Sequence, residues 1–277
     1  MALDRDPSAE KAAAAIDDRR FVFRRAWFSN VAGILDELDI ASIDGALLDL
    51  GISSPQIEEA ARGFSFRSDG PLDMRMDPAR GETAADLIAR ADLRELTGIL
   101  RDYGEERLAQ PIAAAIVAAR VREPIVRTRQ LAQVVAQAVG TRTRGDWRQD
   151  PATRTFQALR IQVNAELTEL PQALPVLAAR LAPGARLAVI SFHSLEDRIV
   201  KRFFAAASQP YGGDVRLARL PIRTDALPVP PLALVGRAQK PSDSEVAANP
   251  RARSAILRVA QRTSAAWPAQ LDGEPGA

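Results

Sequence analysis

Cysteine is absent from all 277 residues, and histidine occurs once, as His193. Disulfides, cysteine metal sites and thiol nucleophiles are thereby excluded, and so is a multi-histidine metal centre; no metal is expected. Such usage fits a cytoplasmic protein. Aromatic residues make up only 5% of the chain, too few for a broad platform of rings that stack on bases. No apolar run approaches the roughly 18–20 residues that cross a bilayer; the best, Ile112–Ala119, has eight. No basic-then-apolar leader precedes the first acids, so neither secretion nor a membrane partner is expected. The G-x-x-x-x-G-K-[ST], G-x-S-x-G and G-x-G-x-x-G patterns are missing too, which disfavours P-loop hydrolysis and lipase-type acyl transfer.

What is present is ordinary in bulk and unusual in its basic residues. Apolar residues are 47% and charged residues 26%, a globular composition in a chain long enough for one large or two ordinary domains. Net charge is only +2, yet three lysines stand against 34 arginines. A GC-rich coding sequence would enrich arginine by itself. The distribution says more: Ile116–Arg160 carries nine arginines against Glu123, Asp146 and Asp150. A basic block in an otherwise near-neutral chain is the footprint of nucleic-acid contact.

Along the chain, short apolar runs alternate with helical periodicities. Met1–Asp6 reads as the end of a strand, Ser8–Asp18 as a helix, Phe21–Phe23 as a short strand and Val31–Leu38 as a helix. Ile43–Leu50 is a compact strand-length run ending in an acid and Gly51. Strand–helix alternation predicts an α/β fold with a parallel sheet. Ile52–Pro78 reads as a long loop, and Glu82–Gly140 is helical throughout, a helical insertion ending in the Arg-rich Thr141–Asp150. Ala152–Leu170 follows as one helix, capped by Asp150 or Thr153. Its Thr153, Gln157, Arg160 and Asn164 form a polar stripe where a cleft wall would lie. Pro183-Gly184 is a turn, Arg186–Phe192 a strand, and Ser194 opens a helix with Asp197 in a capping-box position. Pro210–Pro250 reads as a long loop or lid, Ser254–Ala260 as the final strand and Trp267–Ala277 as a frayed tail. The predicted division is 1–81 with 151–262 for the sheet domain, 82–150 for the insertion and 263–277 for the tail.

Ligands of open parallel sheets bind beyond the carboxyl ends of the strands. Three polar clusters fall there: Asp4-Arg5-Asp6, the run Asp49 to Gln56, and His193-Ser194. Asp4 is placed to accept hydrogen bonds from ribose hydroxyls; an acid that merely caps the helix at Pro7 is the alternative. Asp49 ends a strongly apolar run, so its carboxylate should stand at the sheet's rim. Gly51 lets the backbone turn close to a ligand there. His193 reads equally as a hydrogen-bonded structural residue.

Five blocks then carry a family likeness. DGALLDLGISSPQIEEAARGFSFRSDGPLDMRMDP (Asp44–Pro78), GEERLAQPIAAAIVAAR (Gly104–Arg120), PATRTFQALRIQVNAEL (Pro151–Leu167), ISFHSLEDRIVKRFF (Ile190–Phe204) and NPRARSAILRVA (Asn249–Ala260) resemble the RsmH/MraW family, in order. The resemblance implies S-adenosylmethionine-dependent methyl transfer to N4 of a cytidine in the decoding region of 16S ribosomal RNA. It also implies a Rossmann-like methyltransferase sheet interrupted by an all-helical recognition insertion. Residue by residue, Asp4 would bind the cofactor ribose, Phe28 would lie beside the adenine, and Asp49 and Gln56 would complete the pocket. Ser53, Asn164 and His193 are candidates for holding the base. Arg142, Arg144, Arg148 and Arg154 are assigned to RNA phosphates from charge alone. The expected partner is the small ribosomal subunit, with the oligomeric state open, a homodimer included.

One departure stands out. Family members open with a further strand and a G-x-G-G-H-S loop, whereas this chain begins inside the second strand. A start assigned too late is the expectation. A truly shortened gene, leaving a non-catalytic RNA-binding remnant, is the alternative. A DNA amino-methyltransferase is a third reading, disfavoured because DLGISSP lacks the Pro-Pro-aromatic sequence.

Overall fold

The computed structural model describes residues 1–140, 150–210 and 227–268. In order, the elements are β1 (Ala2–Asp4), α1 (Pro7–Ala14), β2 (Phe23–Arg25), α2 (Val31–Glu37), β3 (Ile43–Asp49), α3 (Ser54–Glu58), α4 (Ala84–Arg90), α5 (Leu93–Asp102) and α6 (Ala109–Arg122). There follow α7 (Thr128–Val139), α8 (Ala152–Asn164), α9 (Glu166–Arg180), β4 (Leu181–Ser191), α10 (Ser194–Ala207), β5 (Leu232–Leu234), α11 (Asp243–Ala248) and β6 (Ile256–Arg262). The chain forms two units: residues 1, 5–25 and 52–166, and residues 2–4, 26–51 and 167 onward. Residues 5–25, 52–81 and 151–166, expected with the sheet, cluster here with the helices.

The second unit holds a mixed sheet of order β3-β4-β6-β5. Among the described strands of this sheet only β3 and β4 pair in parallel; β6 is antiparallel to both β4 and β5. β1 lies outside this sheet, against the expectation that it ends a strand of the parallel array. The register pairs Ala46 with Leu187 and Leu48 with Val189, one face of the pleat. Those residues join Val31, Leu35, Leu174, Val200 and Phe204 in one apolar core. The Pro183-Gly184 turn survives as an irregularity inside β4, where the register slips between Ile43 and Gly45 and Gly184 takes φ +88°. The segment from 227 onward is not all loop, since it supplies β5 and α11. Nor is Trp267 frayed. It packs against the core, its ring 6.5 Å from that of Phe203 and 5.6 Å from the Arg262 guanidinium.

The first unit is helical around a separate core. Leu87, Ile88, Leu96, Leu100, Ile112, Ile116, Leu131 and Leu159 meet there. Helix ends are set locally: Thr83 and Asp86 form a reciprocal capping box on α4, and Asp92 caps α5. The long helix expected from Ala152 breaks at Ala165, whose φ of 50° is left-handed, giving α8 and α9 instead. Apolar periodicity runs through that break because α8 buries Phe156, Leu159 and Ile161 and α9 buries Leu170, Leu174 and Leu177, so spacing alone could not reveal it.

Candidate functional site

Each unit brings some of the expected residues together, and they are in different chemical states. In the sheet unit, Asp49 is the last residue of β3, in register with Ile190 of β4. The Leu50 amide donates to the Ile190 carbonyl at 3.0 Å, holding the two strand ends level. Gly51 then turns with φ +84°, a left-handed conformation that favours glycine. The Phe192 ring lies over this turn, its Cδ2 3.5 Å from where a Cβ on Gly51 would stand. Asp49 itself is exposed along the rim. Partial burial of its carboxyl, with the nearby Glu196 charge, pushes its pKa above the ordinary value.

His193, not Ser194, is the cap of α10, and Glu196 rather than Asp197 completes the box. The His193 Nδ1 accepts the Glu196 amide at 3.4 Å, so the neutral ring carries its proton on Nε2. That Nε2 is buried and has no hydrogen bond of good geometry, although Glu196 Oε1 lies 3.3 Å away. Ser191, at the end of β4, likewise buries an Oγ with no partner. Asp197 is engaged elsewhere, in a bidentate pair with Arg258 at 2.7 and 3.0 Å.

Two further expected residues belong to the same unit. Asp4 is exposed at the end of β1, and its carbonyl accepts the Ala26 amide at 3.0 Å. Phe28 opens a short turn of helix and packs against the sheet-side core. The buried Glu169 carboxylate accepts the Ser29 amide at 3.2 Å and so fixes that turn.

In the helical unit the polar groups hold one another. Gln56 Oε1 accepts the Ser53 amide at 2.9 Å, while its Nε2 donates to Asp6 at 2.6 Å. Asp6 also accepts from Ser8 at 2.8 Å and from the Arg62 guanidinium at 2.9 Å. Burial alone would raise the Asp6 pKa; Arg62, Ser8 and Gln56 outweigh it and hold the carboxyl below its ordinary value. Arg62 reaches on to the carbonyls of Arg75 and Met76. Ser53 is the cap of α3. Gln56 is thus seen in a structural role, both ends of its amide engaged inside the helical unit.

Asn164 is similarly occupied. Its Nδ2 donates to the carbonyls of Met74 and Arg160, at 2.7 and 2.9 Å, and its Oδ1 accepts the Met76 amide at 2.8 Å. Two of these bonds clamp the left-handed turn at Met74, φ 65°. Two more residues of the polar stripe are engaged within the unit. Gln157 donates to the Tyr103 carbonyl, and Arg160 forms a bidentate pair with Glu166 at 2.8 Å on both arms.

The basic block divides in the same manner. Arg120 caps the end of α4 through the carbonyls of Ile88 and Ala91, and Arg127 pairs with Asp69 at 2.7 Å. Arg154 is exposed, with one hydrogen bond to the Glu105 carbonyl at 3.2 Å. Arg122 and Arg129 are exposed as well. Arg142, Arg144 and Arg148 lie outside the described residues. Sequence reasoning placed Asp6 in a polar cluster without its partners and missed Arg62 and Glu196; for Glu196 the signal was available, since it stands three residues after a residue able to cap.

Among the described residues, no helix is long and apolar enough to cross a membrane. A family model described as the MraW methylase family matches residues 1–263. The curated protein "Ribosomal RNA small subunit methyltransferase H" of Thiobacillus denitrificans is 57% identical over 266 residues, covering 96% of this chain and 84% of its own length. Its namesake in Azoarcus sp. is 55% identical over 266 residues, covering 96% and 83%. That of Ralstonia pickettii is 56% identical over 267 residues, covering 95% and 82%.

Proposed function

The chain belongs to the MraW methylase family, and from that premise we propose that it methylates the N4 amine of a cytidine in the decoding region of 16S ribosomal RNA, with S-adenosylmethionine as donor. The observation that carries this reading is the match over 95–96% of the chain to small-subunit ribosomal RNA methyltransferases at 55–57% identity. The geometry supports it: an exposed carboxylate stands at the carboxyl edge of a parallel strand pair, beside a left-handed glycine turn that admits close approach.

The residues present suit the cofactor. A carboxylate fits its cationic amine and its ribose hydroxyls, and an aromatic edge fits adenine. Asp4, Phe28 and Asp49 would hold it. When bound, it supplies a methyl group already activated on a sulfonium. What remains for the protein is to place the amine in line and exclude water. The cytosine amine is a weak nucleophile because its lone pair is delocalised, and a base buried in a stack must first be unstacked. A hydrogen-bond acceptor beside the amine favours its nucleophilic form. His193, with Nε2–H as donor, suits an acceptor atom of the base. Ser53 serves as the cap of its turn. For Gln56 and Asn164 we propose scaffold roles, holding the Ser53 and Met74 turns. Arg142, Arg144, Arg148 and Arg154 would meet RNA phosphates, and work in the cytoplasm follows from that substrate.

The test is methyl transfer from labelled S-adenosylmethionine to small subunits that lack the modification, followed by nucleoside analysis. N4-methylcytidine is the expected product. Salt-sensitive RNA binding with neither methyl incorporation nor cofactor affinity would overturn the reading in favour of a binding protein.

A further inference from the structure

Glu196 is a buried carboxylate, its side chain 3% exposed, in the first turn of a 14-residue helix. Such a group needs hydrogen-bond donors to remain there. It has them: its Oε2 accepts the Phe192 amide at 2.9 Å and the His193 amide at 3.4 Å, while its own amide donates back to the His193 ring. The α10 N-terminus adds a favourable dipole. These contacts fix the backbone at Phe192, and the Phe192 ring lies over Gly51. Gly51 is the left-handed turn two residues after Asp49. A continuous chain of contacts therefore runs from the α10 cap to the rim of β3.

We propose that Glu196 is a positioning residue for Asp49: by holding the Phe192 and His193 amides it seats the Phe192 ring on Gly51 and fixes the rim turn that carries the Asp49 carboxylate. The functional consequence rests on the reading of Asp49 as a cofactor-binding residue; the placement does not. Glu196 also acts through its charge, which together with partial burial pushes the Asp49 pKa up. The other ionisable groups at this edge are few. From α10 they are His193 and Asp197, the latter paired with Arg258 of β6. From β4, residues 187–192 contribute none. The loop 50–56 contributes none either. Removing the Glu196 charge thus leaves Asp197 as the remaining carboxylate of these elements, and that one is held by Arg258.

The experiment uses the full chain with carboxyl-labelled aspartate, following Asp49 by carbon NMR as pH is varied and assigning it with Asp49→Asn. In Glu196→Gln, which keeps the shape of the cap and removes its charge, the Asp49 midpoint moves to lower pH. In Phe192→Ala the charge stays but the turn is released. Affinity for S-adenosylmethionine, measured by calorimetry, then falls about tenfold, equivalent to one lost charged hydrogen bond. An Asp49 midpoint unchanged by Glu196→Gln, or cofactor affinity unchanged by Phe192→Ala, overturns the proposal. A wild-type chain with no cofactor affinity sinks the cofactor reading instead, and the NMR midpoint still decides the role of Glu196. Should Glu196→Gln fail to fold, Phe192→Leu carries the test: a displaced Asp49 carboxyl resonance supports the coupling, and an unmoved one overturns it.

Discussion

The two units treat buried polar groups in opposite ways. In the helical unit Asp6, Gln56, Arg62 and Asn164 all find partners, nearly all of them within the same loop-and-helix network. In the sheet unit Ser191 Oγ, His193 Nε2, Ser208 Oγ and Arg262 Nε are buried with no hydrogen bond, against Thr155 Oγ1 alone in the helical unit, among the described residues. An unsatisfied buried polar atom costs about 1–3 kcal/mol, so a fold keeps few of them without a reason. Two of the four, Ser191 and His193, flank Phe192 at the carboxyl end of β4. The helical unit ties its buried polar groups down, whereas the sheet unit leaves several of its own without a hydrogen bond.

The sharpest way to break the scaffold is steric. At Gly70 an added Cβ would stand 1.8 Å from the Ala60 carbonyl oxygen and 2.6 Å from its carbonyl carbon, both backbone atoms. Gly70→Ala is expected to cost more than about 4 kcal/mol and to abolish the cooperative thermal transition of the helical unit. Next comes Asp6→Asn, which leaves Arg62 without its carboxylate in a site where Asp6 is 3% and Arg62 13% exposed by side chain. A loss of about 3 kcal/mol is expected from urea unfolding at neutral pH. The pH dependence has a definite sign. Because the folded Asp6 pKa is lowered, its contribution is complete above the ordinary value of 3.8 and fades as pH falls through the folded value. Wild type and Asp6→Asn should therefore converge in strongly acidic solution. A gap that stays constant with pH would show that shape, not charge, holds the network.

How far this division could be read in advance depends on the kind of information involved. The strand Ile43–Asp49, the helical run from Glu82 and the rim position of Asp49 were legible because apolar periodicity is local. The family likeness, carried by long ordered blocks, was legible as well. The occupation of Gln56 and Asn164 was not. Their partners lie 50 residues away at Asp6 and about 90 at Met74 and Met76, and no spacing rule reaches that far. The break at Ala165 escaped for another reason: alanine is a good helix former, and only tertiary packing makes it turn left-handed. The five arginines from 141 to 160 look alike in sequence, yet Arg160 is held by Glu166 and Arg154 is exposed.

The sheet edge should respond in the opposite sense to the scaffold. Asp49→Asn removes a carboxylate whose folded pKa is raised, so at neutral pH its ionised form opposes folding rather than supporting it. Stability is expected to stay the same or rise slightly, while affinity for S-adenosylmethionine drops about tenfold or more. A clear loss of stability with cofactor affinity intact would place Asp49 with the scaffold and undo the distinction between the two regions.

The smallest effect is expected at the outer edge of β3. Among the described residues β3 pairs with β4 alone in this sheet, and its Leu47 is 66% exposed. An open edge with an exposed leucine is a template for pairing with another chain. Leu47→Lys should change stability by less than about 0.5 kcal/mol, because little apolar contact is lost. Its effect should appear in sedimentation at high concentration, where wild type self-associates more than the variant. Equal sedimentation of the two would mean that this edge is silent, and that the only reactive part of the sheet unit is the carboxyl rim where Asp49, Ser191 and His193 stand.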